Sequence, residues 1–215
     1  MSNDTRKHVH VRKKVIEWYE QSGRRFPWRE TTDPYQILIA EILLRRTTAA
    51  AVSRVYPEFL RKFDSPDRLD KSRESTIAKA LASLGLQELR ARQLKRTATI
   101  IMKDYDGTIP KSNEELQSLP GIGLYIASAV RNFAFGEPAP LLDGNVIHFV
   151  SRVFGVQFTG PNDAKAWEFV NKFGGPHQPE FYWGIIDLVA TVCLRQNPRC
   201  SICPVSGKCN WFVSH

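Results

Sequence analysis

The 215-residue chain is long enough to bury the core of one large domain or two small intertwined ones, so size excludes neither an enzyme nor a binding module. Its 42% hydrophobic and 24% charged residues, with no low-complexity tract and no repeat of fixed period, exclude a disordered chain or a solenoid. Lys and Arg outnumber Asp and Glu by 30 to 22, and the resulting formal charge of +8 favours a polyanionic partner such as nucleic acid without identifying one.

The first residues, MSNDTRKHVHVRKK, are polar and basic with no apolar core, which argues against a secretory leader. A first helix is expected over 5–21, with Val11, Val15, Ile16, Trp18 and Tyr19 on one face and Gly23 as its stop. Residues 24–34 read as a loop, followed by helices over 35–47 and 50–63. Asp64-Ser65-Pro66 reads as a turn, and a helix over 76–84 is broken by Gly85 before another over 87–105. After the turn at Asp106-Gly107 and Pro110, Ser112 and Glu115 form a capping box for a short helix ending at Leu119. The most apolar stretches, 37–44 and 181–194, are short and carry Glu41 and Asp187, as buried helices do and membrane spans do not. No strand pair is evident, so the class is all-α with about ten helices, in a protein expected to be soluble and intracellular.

Leu119 to Ile126 places Pro120, Gly121 and Gly123 between two short helices. Such a turn can leave amides exposed to a phosphate without reading any base, although PGIG alone also reads as an ordinary helix connection. Asp143 precedes a helix with Val146, Ile147, Phe149, Val150 and Phe154 on its inner face, and is a natural N-cap. Amides and helix dipole would keep its carboxylate ionised, as a cation-like sugar C1′ would require, but plain capping reads the same way. Glu41 stands among apolar neighbours, where burial would raise its pKa and equip it as a proton donor, unless it points outward. Cys193, Cys200, Cys203 and Cys209 give C-x6-C-x2-C-x5-C, a strong signal for four thiolates on one metal centre. Spacing alone suits zinc.

From Phe26-Pro27-Trp28-Arg29 to Cys209, the chain resembles the helix-hairpin-helix DNA glycosylases of the MutY and endonuclease III superfamily. The resemblance implies a six-helix domain of residues 24–135 containing the hairpin, and an iron–sulfur cluster domain built from residues 1–23 and 136–215. It implies a [4Fe–4S] cluster on the four cysteines, and Leu-Asp-Gly-Asn-Val matches the superfamily's catalytic aspartate at Asp143. The bifunctional members carry a Lys two residues after the second hairpin Gly. Here that residue is Tyr125, which cannot form a Schiff base, so water is expected as the nucleophile.

FPWR, DPYQILIAEILLRRTTA and GIGLYIA look like the thymine glycosylases of G·T mismatches, with uracil opposite guanine fitting the same pocket. Glu41, Tyr125 and Asp143 would border that pocket, with Glu41 hydrogen-bonding the base. Arg46 resembles the side chain that replaces an extruded base, and Leu86 a second wedge. Gly121, Gly123, Arg195 and Arg199 would contact the DNA backbone. The chain stops six residues after its last Cys, which reads as lacking the 8-oxoguanine reader of adenine glycosylases. The expected partner is duplex DNA with a mismatched or damaged base, bound by a monomer without membrane or nucleotide cofactor. An adenine glycosylase and a DNA-binding metalloprotein without chemistry are the competing readings. The N-terminal histidines and His148 are expected on helix surfaces, without an assigned role.

Overall fold

The computed structural model describes residues 3–214. In chain order its helices are α1 (Asn3–Ser22), α2 (Pro34–Leu44), α3 (Ala49–Lys62), α4 (Pro66–Lys71), α5 (Glu74–Ala80), α6 (Gln87–Asp104), α7 (Asn113–Ser118), α8 (Leu124–Phe133), α9 (Gly144–Phe154), α10 (Ala164–Gly174), α11 (Pro179–Thr191) and α12 (Asn210–Ser214). Short 3₁₀ turns intervene, and no strand occurs among the described residues. The chain forms two compact units, Arg25–Glu137 and the pair of segments Met1–Arg24 and Pro138–His215.

In the unit 25–137, α2 is the central element. Asp33 caps it by accepting from the amides of Tyr35 and Gln36, and Pro34 occupies the first turn, where its missing N–H costs nothing. Tyr35 through Leu43, apart from half-buried Gln36, are buried, because α3, α6 and α8 all pack on α2. Two buried hydroxyls are satisfied across this core: Tyr35 donates to Phe63 O at 2.8 Å and Tyr56 to Gln36 O at 2.9 Å. The capping box forms as expected, with Ser112 and Glu115 bonded reciprocally at the start of α7.

Three local expectations need correction. Asp64-Ser65-Pro66 is a helix start, with Ser65 accepting from Arg68 N and Pro66 opening α4. The helix expected over 76–84 begins at Glu74, ends at Ala80 and gives way to a 3₁₀ turn at Ala82–Leu84. The helix expected to run to Thr47 stops at Leu44, because carbonyls at its end are taken by a side chain from α6.

In the other unit, α1 packs on α10 and α11, and α9 on α11 and α12. The approach of α1 to α11 depends on Gly184, where a Cβ would stand 2.7 Å from Val15 Cγ1. Asp187 is fully buried on α11, and its charge is compensated by Arg24, whose Nη2 lies 2.7 Å away and whose amide and Nε also donate to it. His8 also departs from the sequence reading. It is half-buried edge-on to Phe154, Phe169 and Phe173, whereas His10 is exposed as expected.

Candidate active site

Asp143 is the N-cap of α9. Its Oδ1 accepts from the amides of Asn145 and Val146 at 2.9 and 2.8 Å, and its Oδ2 from Asn145 Nδ2 at 2.7 Å. Arg195 Nη2 donates to the adjacent Gly144 carbonyl at 3.2 Å and brings a positive charge near the carboxylate. These partners favour the charged form, but burial of the carboxyl outweighs them and pushes its pKa above the ordinary aspartate value. The amides expected from the sequence are in place, and the burial that opposes them is a tertiary effect which the sequence reading did not include.

At the other end of α9 lies the four-cysteine loop. Cys193, Cys200, Cys203 and Cys209 line one recess, together with Phe149, Val192 and Val205. A single ion requires its thiolates within about 2.3 Å of one point. Among the described residues no three Cys, His, Asp or Glu side chains are gathered for that. Burial pushes the Cys193 and Cys200 thiols up and the Cys203 thiol up to about 11, so metal cations would have to displace their protons.

Arg152, in the last turn of α9, fastens this loop. Its Nη1 donates to Leu194 O at 2.7 Å, its Nη2 to Arg195 O at 3.0 Å, and Cys193 Sγ lies 3.7 Å from Nη1. The same guanidinium sits 4.6 Å from the ring centre of Trp211, two residues past Cys209. The last α9 carbonyls, which a helix end leaves unsatisfied, are also used: Arg152 O accepts from the Cys209 thiol, Val153 O from Lys7 Nζ and Phe154 O from Asn210 Nδ2. His148 is half-buried rather than on the surface, and its Nε2 donates to Cys193 O at 3.0 Å. Arg199 is exposed on the loop.

In the unit 25–137, Glu41 is only 6% exposed, which removes the outward-pointing alternative, and Tyr125 is half-buried in the first turn of α8. The hairpin between α7 and α8 has Gly121 in the left-handed region at φ 71°, with Gly123 as N-cap of α8. A Cβ on Gly121 would stand 2.6 Å from Gln93 Nε2. Arg45 and Gln93 tie the Gly121 and Pro120 carbonyls at 3.0 and 3.1 Å, while the amides of both exposed glycines have no acceptor among the described residues. Arg46 and Leu86 are exposed, Leu86 by 53%, and both adopt positive φ.

A scan of protein families matches residues 39–172 to the HhH-GPD superfamily of base excision DNA repair proteins. The chain belongs to that superfamily. It is 40% identical over 210 residues to a thymine-DNA glycosylase of Aeropyrum pernix, covering 94% of each chain. It is 37% identical to a thymine/uracil-DNA glycosylase of Pyrobaculum aerophilum, covering 90% of this chain and 87% of that one. Among solved structures, a thermostable thymine-DNA glycosylase superposes with a TM-score of 0.94 at 34% identity, over the full length of both chains. Membership of the superfamily and an all-helical fold agree with the sequence reading. No helix among the described residues is long and apolar enough to cross a membrane.

Sequence reasoning missed three contributors. Asn145 holds the Asp143 carboxylate, Arg152 fastens the cysteine loop, and Arg90 braces the loops of Arg46 and Leu86, while Arg195, expected at the DNA backbone, also stands beside Asp143. Asn145 had a local signal, two residues after the N-cap. The arginines had none, since backbone carbonyls are their acceptors.

Proposed function

We propose that the protein is a monofunctional DNA glycosylase that hydrolyses the N-glycosidic bond of thymine, and of uracil, mispaired with guanine. The observation that carries this reading is the 40% identity to a thymine-DNA glycosylase over 94% of both chains. In the proposed reaction the bond from sugar C1′ to the base breaks, the base leaves with the bonding pair, and water adds its oxygen to C1′. An abasic site and the base anion result, and the anion takes up a proton from solvent to become the free base. The Asp143 carboxylate stabilises positive charge at C1′ and accepts the proton of the attacking water. Glu41 and Tyr125 contribute to holding the extruded base, Glu41 through a hydrogen bond.

The absence of an amine at Tyr125 supports water as the nucleophile in place of a Schiff-base lyase. The unbonded amides of Gly121 and Gly123 would receive a DNA phosphate, and the exposed Arg195 and Arg199 would approach others. Arg46 and Leu86 would fill the space left by the base; a G·T pair, less stable than a matched one, lowers the cost of extrusion. Cys193, Cys200, Cys203 and Cys209 would hold a [4Fe–4S] cluster, whose part is to tie the loop together.

A panel of end-labelled duplexes containing G·T, G·U, G·A and 8-oxoguanine·A tests the substrate assignment. Release of thymine and uracil, with adenine retained, is the expected result. Release of adenine alone would move the protein to adenine glycosylase activity, and no release from any duplex would make it a binding protein.

A further inference from the structure

Arg90 is only 6% exposed near the start of α6, and no carboxylate pairs with it among the described residues. Five hydrogen bonds run from its guanidinium to five oxygens. Nε donates to Gly85 O at 3.1 Å, Nη1 to Ile42 O and Leu43 O at 3.1 and 3.2 Å, and Nη2 to Arg45 O at 2.7 Å and to Thr47 Oγ1. Ile42 and Leu43 lie in the last turn of α2, where unsatisfied carbonyls and the negative dipole end replace a counter-ion. One planar fork therefore grips the end of α2, the loop after it and the loop before α6.

Those two loops are the strained parts of this unit. Thr47 N bonds to Leu44 O at 3.3 Å across a turn in which Arg45 has φ −62° and ψ 121° and Arg46 has φ 53°. That is the pattern of a type II turn, whose third residue is ordinarily glycine. Gly85 and Leu86 follow one another at φ 71° and 51°. Leucine tolerates the left-handed region poorly, and an exposed leucine gains nothing from burial there. At both places the chain carries a large side chain in a backbone conformation that must be imposed from outside, and the only side chain bonded to both loops among the described residues is Arg90.

We propose that Arg90 is a positioning residue for base extrusion, holding Arg46 and Leu86 erect as a pair of preformed wedges. The inference rests on reading those two residues as wedges. Without Arg90 the carbonyls of residues 42, 43, 45 and 85 lose their donor, both loops relax to ordinary φ values, and the wedges leave the register in which they enter a duplex together. Preorganisation of this kind acts on the extrusion step rather than on the encounter with DNA.

The test is a double-mutant cycle on the full chain, using Arg90→Lys, Arg46→Ala, Leu86→Ala and the doubles of Arg90→Lys with each. Two readouts apply: fluorescence of 2-aminopurine placed beside a G·T mismatch, which reports extrusion, and single-turnover release of thymine. Arg90→Lys is expected to lower the fluorescence change and to slow release roughly ten- to a hundredfold, with duplex affinity altered by less than about threefold. Adding Leu86→Ala or Arg46→Ala to Arg90→Lys is expected to cost little more, since the wedges are already misplaced. Multiplicative losses, or full extrusion by Arg90→Lys, would overturn the proposal. Arg46→Ala and Leu86→Ala leaving extrusion unchanged would instead overturn the wedge reading itself. Should Arg90→Lys not fold, Thr47→Val removes one of the five acceptors at a half-buried site and is expected to shift the same fluorescence readout in the same direction. An unaltered signal from that variant would count against Arg90.

Discussion

Each of the two units contains an arginine that bonds to backbone carbonyls rather than to a carboxylate, and the two differ in what they hold. Arg90 is buried and grips loops whose exposed residues have positive φ. Arg152 is half-buried and ties the flanks of Cys193 and Cys209, the first and last members of the four-cysteine loop. A buried fork with five acceptors can impose a conformation by itself. A half-exposed one assists a loop that the proposed cluster would tie together. Geometry made by the fold alone thus stands beside geometry that the proposed cluster would complete.

The sharpest way to break this account is at Asp143, because both its charge and its capping bonds are lost or weakened by one change. Asp143→Asn is expected to reduce thymine release by at least about a hundredfold in single-turnover assays while leaving the protein folded, since an amide oxygen can still cap α9. Retained activity would dismiss the catalytic role. Next in size is Arg152→Met, expected to cost about 1–2 kcal/mol in denaturant unfolding and to speed loss of visible absorbance on exposure to chelator. If absorbance decays at the wild-type rate, Arg152 does not fasten the loop. Arg90→Met, measured by the same absorbance, is expected to leave decay unchanged, which sharpens the division between the two arginines.

A pH series reads the Asp143 environment more gently. Its pKa is raised, so activity is expected to fall on the acid side at a higher pH than an ordinary aspartate would give. For stability the sign is opposite: a carboxyl with a raised native pKa binds its proton more readily folded, so its contribution to stability grows as pH falls through that value. Base release should therefore be lost before far-UV circular dichroism changes. Arg195→Met removes a charge that lowers the Asp143 pKa and is expected to move the acid limb further upward. The smallest effect belongs to Ser112→Ala, which removes one capping bond of α7 and is expected to cost about 1 kcal/mol in thermal unfolding with base release unchanged.

Features written within three or four residues were legible in the sequence. The Ser112–Glu115 box, the Asp143 cap and the Gly121 turn each follow from neighbours along the chain. Ser65-Pro66 shows the limit of that approach, because the same pair opens a turn or caps a helix, and packing of α4 on α6 selects the helix. The early end of α2 was illegible, since it depends on Arg90, 43 to 48 residues away from the oxygens at 42–47. The raised pKa of Asp143 was illegible for a related reason. Its amide partners are local and predictable, whereas the burial that outweighs them is tertiary. His148 looked like a surface histidine because its acceptor, Cys193 O, lies 45 residues further along the chain.

The central claim is hydrolysis by water without a Schiff base. It is tested most directly by incubating the wild-type protein with an end-labelled G·T duplex and resolving the strands with and without hot alkali, in parallel with borohydride trapping. The account predicts breaks at the thymine only after alkali and no covalent adduct. Breaks without alkali, together with a trapped protein–DNA species, would contradict it and require an amine nucleophile elsewhere in the chain.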